Sequence, residues 1–297
     1  MQLFKKKKII AVHDGKFHAD DIFACATLSL LNNGNIKIVR TRDQAIIDKA
    51  DYVVDVGCVY DPLNKRFDHH MPGGAGVGEK GIPYAAFGLV WKEYGEKIAG
   101  SSEIASRVNS HLVAAIDADD NGISLATVTG DVAPYSIQNF LSTYRPTWRE
   151  DPKKFDESFN ELVKIAERII SREVIISRDV LLAKSIVEKA YADAEDKRLI
   201  VLDTACPYQE VLAQYPEPLF VVHPRFGDTK WNISTMRVSH SSFENRKSFP
   251  KAWAGLRDQE LAKVSGVTDA TFCHNACFLC VAKTKESAIA LAKLALE

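Results

Sequence analysis

Short apolar runs alternate with amphipathic segments over residues 8–116, and this pattern constrains the fold more than any other feature. Strands are predicted at Lys8–His13, Ile36–Arg40, Asp51–Val56 and Arg66–His70. Helices are predicted at Asp20–Leu31, Gln44–Lys49, Pro83–Tyr94 and Glu103–Ile116. Strands that alternate with helices are typical of an α/β layer, so we predict a mainly parallel sheet for this part of the chain.

The second half of the chain has a different pattern. Apolar residues recur at helical spacing from Phe155 to Ile170, and the segment Val180–Ala190 is also helical in character. Further strands are predicted at Leu199–Leu202, Leu219–His223, Ile233–Val238 and Phe278–Ala282, before a closing helix from Lys285. We therefore predict an α/β domain over residues 1–190, ending in a helical connector (about 150–190), and a smaller mixed α/β domain over 191–297.

Histidine and aspartate side chains gather where the predicted strands and one predicted helix end. They are His13 to Asp21 after the first strand, Asp55 in the third, Asp68 to His70 in the fourth, and Asp117 to Asp120 after the helix from Glu103. In an open α/β sheet, ligands bind beyond the carboxyl ends of the strands. We therefore expect these side chains to meet at one edge of the sheet.

Each of these residues also has an ordinary structural interpretation. Asp20 is a suitable N-cap, Asp55 can bond a turn, and Asp120 before Asn-Gly is a common helix stop. Taken together, however, carboxylates concentrated in one crevice repel one another, which implies bound cations. Carboxylate plus neutral imidazole suits Mn²⁺, with Mg²⁺, Fe or Co as other occupants, and the lack of a thiolate in the set argues against structural zinc.

The sequence around these residues resembles a known family. Asp68-His69-His70 after a strand, with Asp55 on the strand before, is similar to the DHH phosphoesterase superfamily. The strings at 13–21, 117–122 and 245–256 resemble the melanocyte-proliferating-gene-one family of predicted metal-dependent hydrolases and exonucleases. The resemblance covers nearly the whole chain, and it implies an N-terminal DHH domain with the active site in a cleft.

The resemblance also implies a set of site residues. Two Mn²⁺ ions are expected, with metal ligands drawn from His13, His18, Asp20, Asp55, His69, Asp117 and Asp120. His18 stands where the superfamily usually has an aspartate. Two choices stay open: whether His13, Asp14 or both reach the metals in the first motif, and which of Asp117 and Asp120 coordinates in the last. The expected catalytic residues are Asp68, His69 and His70. Either His69 or His70 protonates the leaving oxygen, and the alternatives for His70 are to contact substrate phosphate or to orient its neighbour.

The activity that the resemblance implies is metal-dependent phosphodiester hydrolysis through two-metal activation of water. Its most specific form is a 3′-5′ exonuclease acting on short single-stranded RNA. A small-molecule phosphatase or pyrophosphatase on the same site is one alternative. A metal-binding regulatory protein with reduced catalysis is another, because Cys277, Cys280 and Val281 replace glycines of the family.

Substrate binding is expected in the C-terminal domain. The net charge is −1, so flanking phosphates of a polyanion need a local basic surface. The candidate substrate-binding residues are Arg237, Asn245, Arg246, Lys247 and His274, with Phe243 and Trp253 as aromatics suited to base stacking. The alternative is that Phe249 and Trp253 belong to the core and that the cations form a solvated face.

Neither a membrane segment nor an export signal is predicted. No apolar run approaches the roughly 20 residues of a membrane helix, and Ile9–Val12 is too short for the core of a signal peptide. We therefore expect a cytoplasmic protein with reduced cysteines and no membrane partner. The spacing of Cys273, Cys277 and Cys280 can bind an iron–sulfur cluster, but the predicted strand at Phe278–Ala282 argues against one, because its neighbouring side chains point to opposite faces.

Overall fold

The computed structural model describes residues 6–78, 80–128, 130–239 and 242–297. The strands are β1 Lys8–Val12, β2 Ile36–Arg40, β3 Tyr52–Val54, β4 Tyr60–Asp61, β5 Arg66–Phe67, β6 Leu199–Val201, β7 Phe220–Pro224, β8 Trp231–Thr235, β9 Ala270–Cys273 and β10 Leu279–Ala282. The helices are α1 Ala19–Leu31, α2 Gln44–Ile47, α3 Ala86–Ala99, α4 Ser102–Val108, α5 Ala114–Asp120, α6 Ile137–Ser142, α7 Lys154–Asp193, α8 Gln209–Leu212, α9 Asp258–Ser265 and α10 Lys285–Leu296. A π-helical turn, Asn109–Val113, joins α4 to α5, and Lys251–Trp253 form a 3-10 turn. The chain divides into two compact units, Met1–Ser177 and Arg178–Glu297.

The first unit is built on a five-stranded sheet in the order β2-β1-β3-β5-β4. All neighbouring pairs are parallel except β4 with β5, so the prediction of a mainly parallel sheet is confirmed. Alternate side chains of β1 point to opposite faces. Ile10 and Val12 join the main core with Phe23 and Phe87, whereas Ala11 packs with Ile47 on the other face.

The second unit is built on a separate five-stranded sheet in the order β6-β7-β8-β10-β9. Strands β6 and β7 are parallel and the other pairs are antiparallel, so the predicted mixed α/β character is confirmed. Apolar side chains cover both faces of the sheet. Phe220 lies in the cluster with Leu291 of α10, and Val221 lies in the cluster with Leu212 of α8.

Helix α7 is a single helix of 40 residues, and it contains both stretches that the sequence predicted to be helical, the one from Phe155 and its continuation at Val180–Ala190. Its Phe159 belongs to the core of the first unit, and its Val187 packs with Ile200 in the second. The division by contacts therefore falls inside α7, whereas the sequence pattern placed the boundary near residue 190. In the part of the chain that the structure describes, no helix is both long enough and apolar enough to cross a bilayer.

Candidate metal centre

The strand order brings three of the four acidic motifs to one edge of the first sheet. Strands β1, β3 and β5 are parallel neighbours, so His13, Asp55 and His69 follow their carboxyl ends side by side. The distance from His69 Nε2 is 3.3 Å to Asp55 Oδ1, 3.3 Å to Asp120 Oδ2 and 3.9 Å to Asp20 Oδ2. Asp20 comes from the first turn of α1 and Asp120 from the end of α5. The geometry thus joins all four motifs around one imidazole.

Three overlapping groups of side chains have the spacing of metal ligands. They are His13 with His18 and Asp55, Asp55 with His69 and His70, and His18 with Asp20 and Asp120. Within each group, one ligand atom of every residue lies within 4.8 Å of the others. Asp55 and His18 each belong to two groups, so neighbouring cations could share these residues as ligands. This arrangement suits more than one ion.

The buried polar atoms of the centre test whether a cation fits. Asp20 Oδ1, Asp55 Oδ1 and His69 Nε2 are buried and make no aligned hydrogen bond. Buried polar atoms are normally paired, because leaving one unpaired costs free energy. Burial, together with the charges of Asp55 and Asp120, holds the pKa of Asp20 well above its ordinary value. A divalent cation among these atoms would satisfy them and offset the repulsion, so the donor set fits a metal.

His13 is oriented with one ring nitrogen towards the acidic cluster. Its Nδ1 lies 2.8 Å from the carbonyl oxygen of Asp14, which fixes the proton on that nitrogen and leaves Nε2 for the cluster. Nε2 lies 2.9 Å from Asp21 Oδ2 and 3.2 Å from Asp55 Oδ2. Burial lowers the pKa of His13, but its bonds to Asp21 and Asp55 outweigh burial and raise it to about 10. The Asp14 carboxylate instead accepts from Arg42 at 3.1 Å, so the geometry favours His13 as the ligand.

Asp117 and Asp120 occupy different environments although both lie on α5. Asp117 Oδ1 accepts a hydrogen bond from the backbone N–H of Gly88 at 3.0 Å. A Cβ atom on Gly88 would lie 1.8 Å from Asp117 Oδ2, so the close approach of α3 depends on glycine. Burial raises the pKa of Asp117 to about 8. Among the residues that the structure describes, Asp120 belongs to a ligand group and Asp117 does not, so the geometry favours Asp120 as the ligand.

Asp68 holds His70 in place. Asp68 Oδ1 accepts from the backbone N–H of His70 at 3.0 Å and lies 2.8 Å from its Nδ1. The other oxygen, Oδ2, accepts from the backbone N–H of Cys58 at 2.6 Å. With both oxygens engaged, Asp68 is buried, whereas the His70 side chain is 57% exposed. His70 is therefore an oriented imidazole that a substrate can reach.

Three residues of the centre were not identified from the sequence. Asp21 is fully buried beside His13, and its Oδ1 accepts from the backbone N–H of His18 at 3.1 Å. Arg40 donates to the carbonyl of Gly15 at 2.6 Å, and Arg145 donates to the carbonyl of Phe17 at 3.1 Å. Asp21 lies inside the recognised string and could have been included. The two arginines are distant in sequence, and no local signal marks them.

The predicted substrate-binding residues all lie in the second unit, where most have partners of their own. Arg246 donates to the carbonyls of Tyr215 at 2.6 Å, Arg237 at 3.1 Å and Pro218 at 3.2 Å, and Lys247 donates to the carbonyl of Leu296 at 2.7 Å. Asn245 bonds Thr235 and Ser248, and His274 Nδ1 accepts from the backbone N–H of Ala276. An isolated bridge joins Arg237 to Asn245. Substrate binding by these residues stays a prediction. A substrate would have to compete with the protein groups that these side chains already contact.

The aromatic residues of this region differ in exposure. Trp253 is buried beside Phe249 in the core, so the prediction that Trp253 stacks on bases was wrong, and the core alternative holds for both residues. Phe243 is 87% exposed, and the Arg237 guanidinium lies 4.8 Å from the centre of its ring. Cys273, Cys277 and Cys280 are buried in the same apolar cluster as Trp253.

Comparisons with known proteins extend over both units. The MYG1_exonuc family model, described as "Uncharacterised protein family (UPF0160)", matches residues 9–296. The chain is 33% identical to a MYG1 protein of Saccharomyces cerevisiae, over 98% of this chain and 96% of that protein. It is 31% identical to a MYG1 protein of Caenorhabditis elegans, over 97% and 95% respectively. It is 30% identical to the MYG1 exonuclease of Homo sapiens, over 97% and 85% respectively.

Proposed function

The chain belongs to the MYG1 family, as its motifs predicted, and we propose on this premise that it is a metal-dependent phosphodiester hydrolase. Its most specific form is a 3′-5′ exonuclease that shortens single-stranded RNA. The observation that carries this proposal is the set of three overlapping ligand groups, in which Asp55 belongs to two groups and His18 belongs to two. The exonuclease name of the human relative supports the same reaction class.

The residues present would hold two divalent cations. His13, His18, Asp20, Asp55, His69 and Asp120 supply carboxylate and imidazole donors, a set that suits Mn²⁺ and also admits Mg²⁺. A bound pair of such ions supplies Lewis-acid chemistry, because it activates water as a nucleophile and neutralises charge on phosphoryl oxygens.

The imidazole of His70 is the group that we assign to proton transfer. Asp68 fixes its Nδ1, which also lies 3.3 Å from Asp55 Oδ1 at the edge of the ligand cluster. An imidazole held in this way can give a proton to the leaving oxygen or contact the phosphate. Asp68 acts as its positioning residue, because both carboxylate oxygens are already engaged.

A digestion series tests the proposal. Protein stripped with EDTA is given Mn²⁺, Mg²⁺ or neither, with a short RNA labelled at the 5′ end. We expect a ladder of products that shorten one nucleotide at a time from the 3′ end, only when metal is present. Asp55→Asn should abolish the ladder, whereas Asp179→Asn, which neutralises an exposed aspartate of α7 outside the ligand groups, should still produce it. Folded wild-type protein that binds Mn²⁺ but hydrolyses no phosphoester would instead indicate a regulatory protein.

A small-molecule phosphatase is the second candidate, and one observation favours it. The cavity beside the centre, lined by His18, Asp119, Asp120 and Gln138 among others, has a volume of only about 220 Å³. A space of that size suits a small phosphoester better than several nucleotides. Phosphate released from pyrophosphate or nucleotides, without shortening of RNA, would favour this candidate over the exonuclease.

We also place this activity in the cytoplasm. The six cysteines are free thiols, and thiols of this kind persist in reducing compartments. Fractionation of cells that produce the tagged protein would test the location, and recovery with a membrane or organelle fraction would contradict it.

A further inference from the structure

A segment of the first unit carries aromatic side chains that the chemistry above does not use. Phe140, Tyr144 and Trp148 follow one another at intervals of four residues. Trp148 is 88% exposed and Phe140 is 37% exposed, whereas Tyr144 is half-buried and packs against the core. The rings of Phe140 and Tyr144 meet edge to face with centroids 5.6 Å apart. The guanidinium of Arg149 lies 4.7 Å from the centroid of the Trp148 ring. These four residues are called the aromatic rim below.

Two long-range hydrogen bonds attach this segment to the first motif of the metal centre. Gln138 of α6 accepts from the backbone N–H of Ala19 at 2.9 Å. Arg145 donates to the carbonyl of Phe17 at 3.1 Å. Ala19 and Phe17 are the two chain neighbours of His18, so the contacts hold the segment on either side of a candidate metal ligand. The aromatic rim therefore begins at the edge of the metal centre.

The distance from the centre and the local charge both suit an extended polyanion. Consecutive Cα atoms are 3.8 Å apart, so Trp148 lies within about 11 Å of the backbone of Arg145, a span that a few linked nucleotides cover. Arg145, Arg149, Lys153 and Lys154 outnumber the two acidic residues between 140 and 154. A basic, aromatic segment beside an acidic metal centre can bind the phosphates and bases that the centre itself repels.

We propose that the aromatic rim binds the bases of a single-stranded nucleic acid whose terminal phosphodiester lies in the metal centre. This inference rests on the proposed function and deepens it. Bases stack on exposed aromatic rings with little sequence preference, and an arginine stacked on such a ring adds a phosphate contact. The substrate strand thus lies along the first unit, whereas the sequence alone indicated Arg246 and Lys247 of the second.

The test measures how variants at three exposed aromatic residues, Trp148, Phe226 and Phe243, bind one fluorescent single-stranded RNA of ten nucleotides. Binding is measured in EDTA, where hydrolysis is prevented, by anisotropy and by quenching of tryptophan fluorescence. We expect Trp148→Ala to weaken binding by roughly 5- to 100-fold. Phe226→Ala is the matched control, because Phe226 is 91% exposed, lies in the second unit and should bind as wild type. Arg149→Gln should lower the salt slope of binding by about one phosphate contact.

Turnover with Mn²⁺ separates failure of this inference from failure of the proposed function. Trp148→Ala should raise KM for the ten-nucleotide RNA while kcat at saturation changes little. If wild type and Trp148→Ala shorten the RNA with equal KM and bind it equally, the aromatic rim is not the binding surface, although the exonuclease stands. If wild type shortens no RNA, the proposed function fails, and equal affinity of both proteins in EDTA would overturn the aromatic rim as well.

Two other results would also overturn the inference. Weaker binding in Phe243→Ala, with none in Trp148→Ala, would place the strand on the second unit. A change of sedimentation coefficient in Trp148→Ala, without a change in RNA affinity, would show that the aromatic rim contacts another copy of the chain.

Discussion

The structure overturns the interpretation of Asp20 as an N-cap of α1, because His18 occupies that position and Asp20 is the second residue of the helix. An N-cap carboxylate would stabilise the fold, and its loss would cost about 0.5–2 kcal/mol. The structure instead buries Asp20 completely among Asp55, Asp120 and Asp21, and these charges and burial raise its pKa. A carboxylate in that position destabilises the metal-free protein at neutral pH, because it is either charged among like charges or protonated at a cost.

We therefore predict that Asp20→Asn stabilises the metal-free protein while weakening Mn²⁺ binding. The midpoint of thermal unfolding in EDTA at pH 7.5 should rise, because repulsion is removed and the amide can still accept from the backbone N–H of Ala86. Calorimetric titration should show Mn²⁺ affinity lower by at least about tenfold, the loss typical of a disturbed metal site. A lower unfolding midpoint together with unchanged Mn²⁺ affinity would mean that Asp20 supports the fold and does not bind the cation.

The pair Asp119 and Asp120 provides a matched test at neighbouring positions. Asp120 Oδ2 lies 3.3 Å from His69 Nε2, and Asp119 belongs to none of the ligand groups among the described residues. We predict that Asp120→Asn lowers Mn²⁺ affinity by about tenfold or more, and that Asp119→Asn leaves it within about twofold of wild type. Titration of free Mn²⁺ by electron paramagnetic resonance measures both. Equal losses in the two variants would mean that only the general negative potential matters.

At the level of elements, the contact between α3 and α5 supports the metal centre. Alanine in place of glycine usually stabilises a helix by about 1 kcal/mol. At position 88 of α3 the added Cβ would lie 1.8 Å from Asp117 Oδ2 and 2.8 Å from Tyr84 Cδ1. The two helices must separate to admit it, and the buried Asp117 carboxylate then loses the N–H of Gly88.

We accordingly predict that Gly88→Ala destabilises the protein by about 1–3 kcal/mol, against the helix propensity. Urea denaturation measures the change. The double variant with Asp117→Ser should recover part of the loss, because the shorter side chain leaves room for the methyl group. An unfolding midpoint above wild type in Gly88→Ala would show that α3 and α5 are not in the contact described.

Most elements that the sequence predicted have a period long enough to recognise. Strand Ile36–Arg40 spans two periods of alternation, and helix Ala19–Leu31 spans more than three turns. The two-residue strand Tyr60–Asp61 contains no full alternation and was not predicted. Arg66–Phe67 is equally short, and it was predicted only as part of the longer run that ends in Asp68-His69-His70.

The candidate site was predictable to the extent that its residues lie in local strings. Asp117 and Asp120 are three residues apart on one helix, so both point to the same face and the pattern alone does not separate them. The two carboxylates differ because Asp117 accepts a hydrogen bond from Gly88, which lies on another helix. Arg145 was missed for the same reason, since its partner Phe17 is 128 residues away. Long-range contacts of this kind leave no trace in local spacing.

At the scale of the whole molecule, the acidic centre makes stability depend on pH. Folding raises the pKa of Asp20 and Asp21 above the ordinary value, and it raises that of Asp117 to about 8. These groups keep protons in the folded state that the unfolded chain releases near pH 4, so stability falls as pH rises above 4. Folding also raises the pKa of His13 to about 10, so its contribution is complete below about pH 6.5 and is lost as pH rises towards 10.

The pKa of Asp55 is shifted in the opposite direction, so Asp55 affects stability over a different range of pH. Burial would raise its pKa, yet the adjacent imidazoles of His13 and His69 outweigh burial and hold the pKa below its ordinary value. The stability that Asp55 contributes is present above about pH 4 and is lost only in stronger acid. Between pH 5 and pH 9 the raised groups therefore decide the slope.

We predict that the metal-free protein unfolds at a progressively lower temperature from pH 5 to pH 9. Its free energy of unfolding should fall by at most about 1.4 kcal/mol per pH unit for each titrating group. Mn²⁺ should reverse this trend, because it binds the deprotonated ligands of the folded state and competes with protons more effectively at higher pH. Thermal unfolding at five pH values, with EDTA and with Mn²⁺, measures both curves. Their separation should widen with pH, and Asp20→Asn should flatten the EDTA curve. A separation that stays constant from pH 5 to pH 9 would mean that the cation does not bind at these carboxylates.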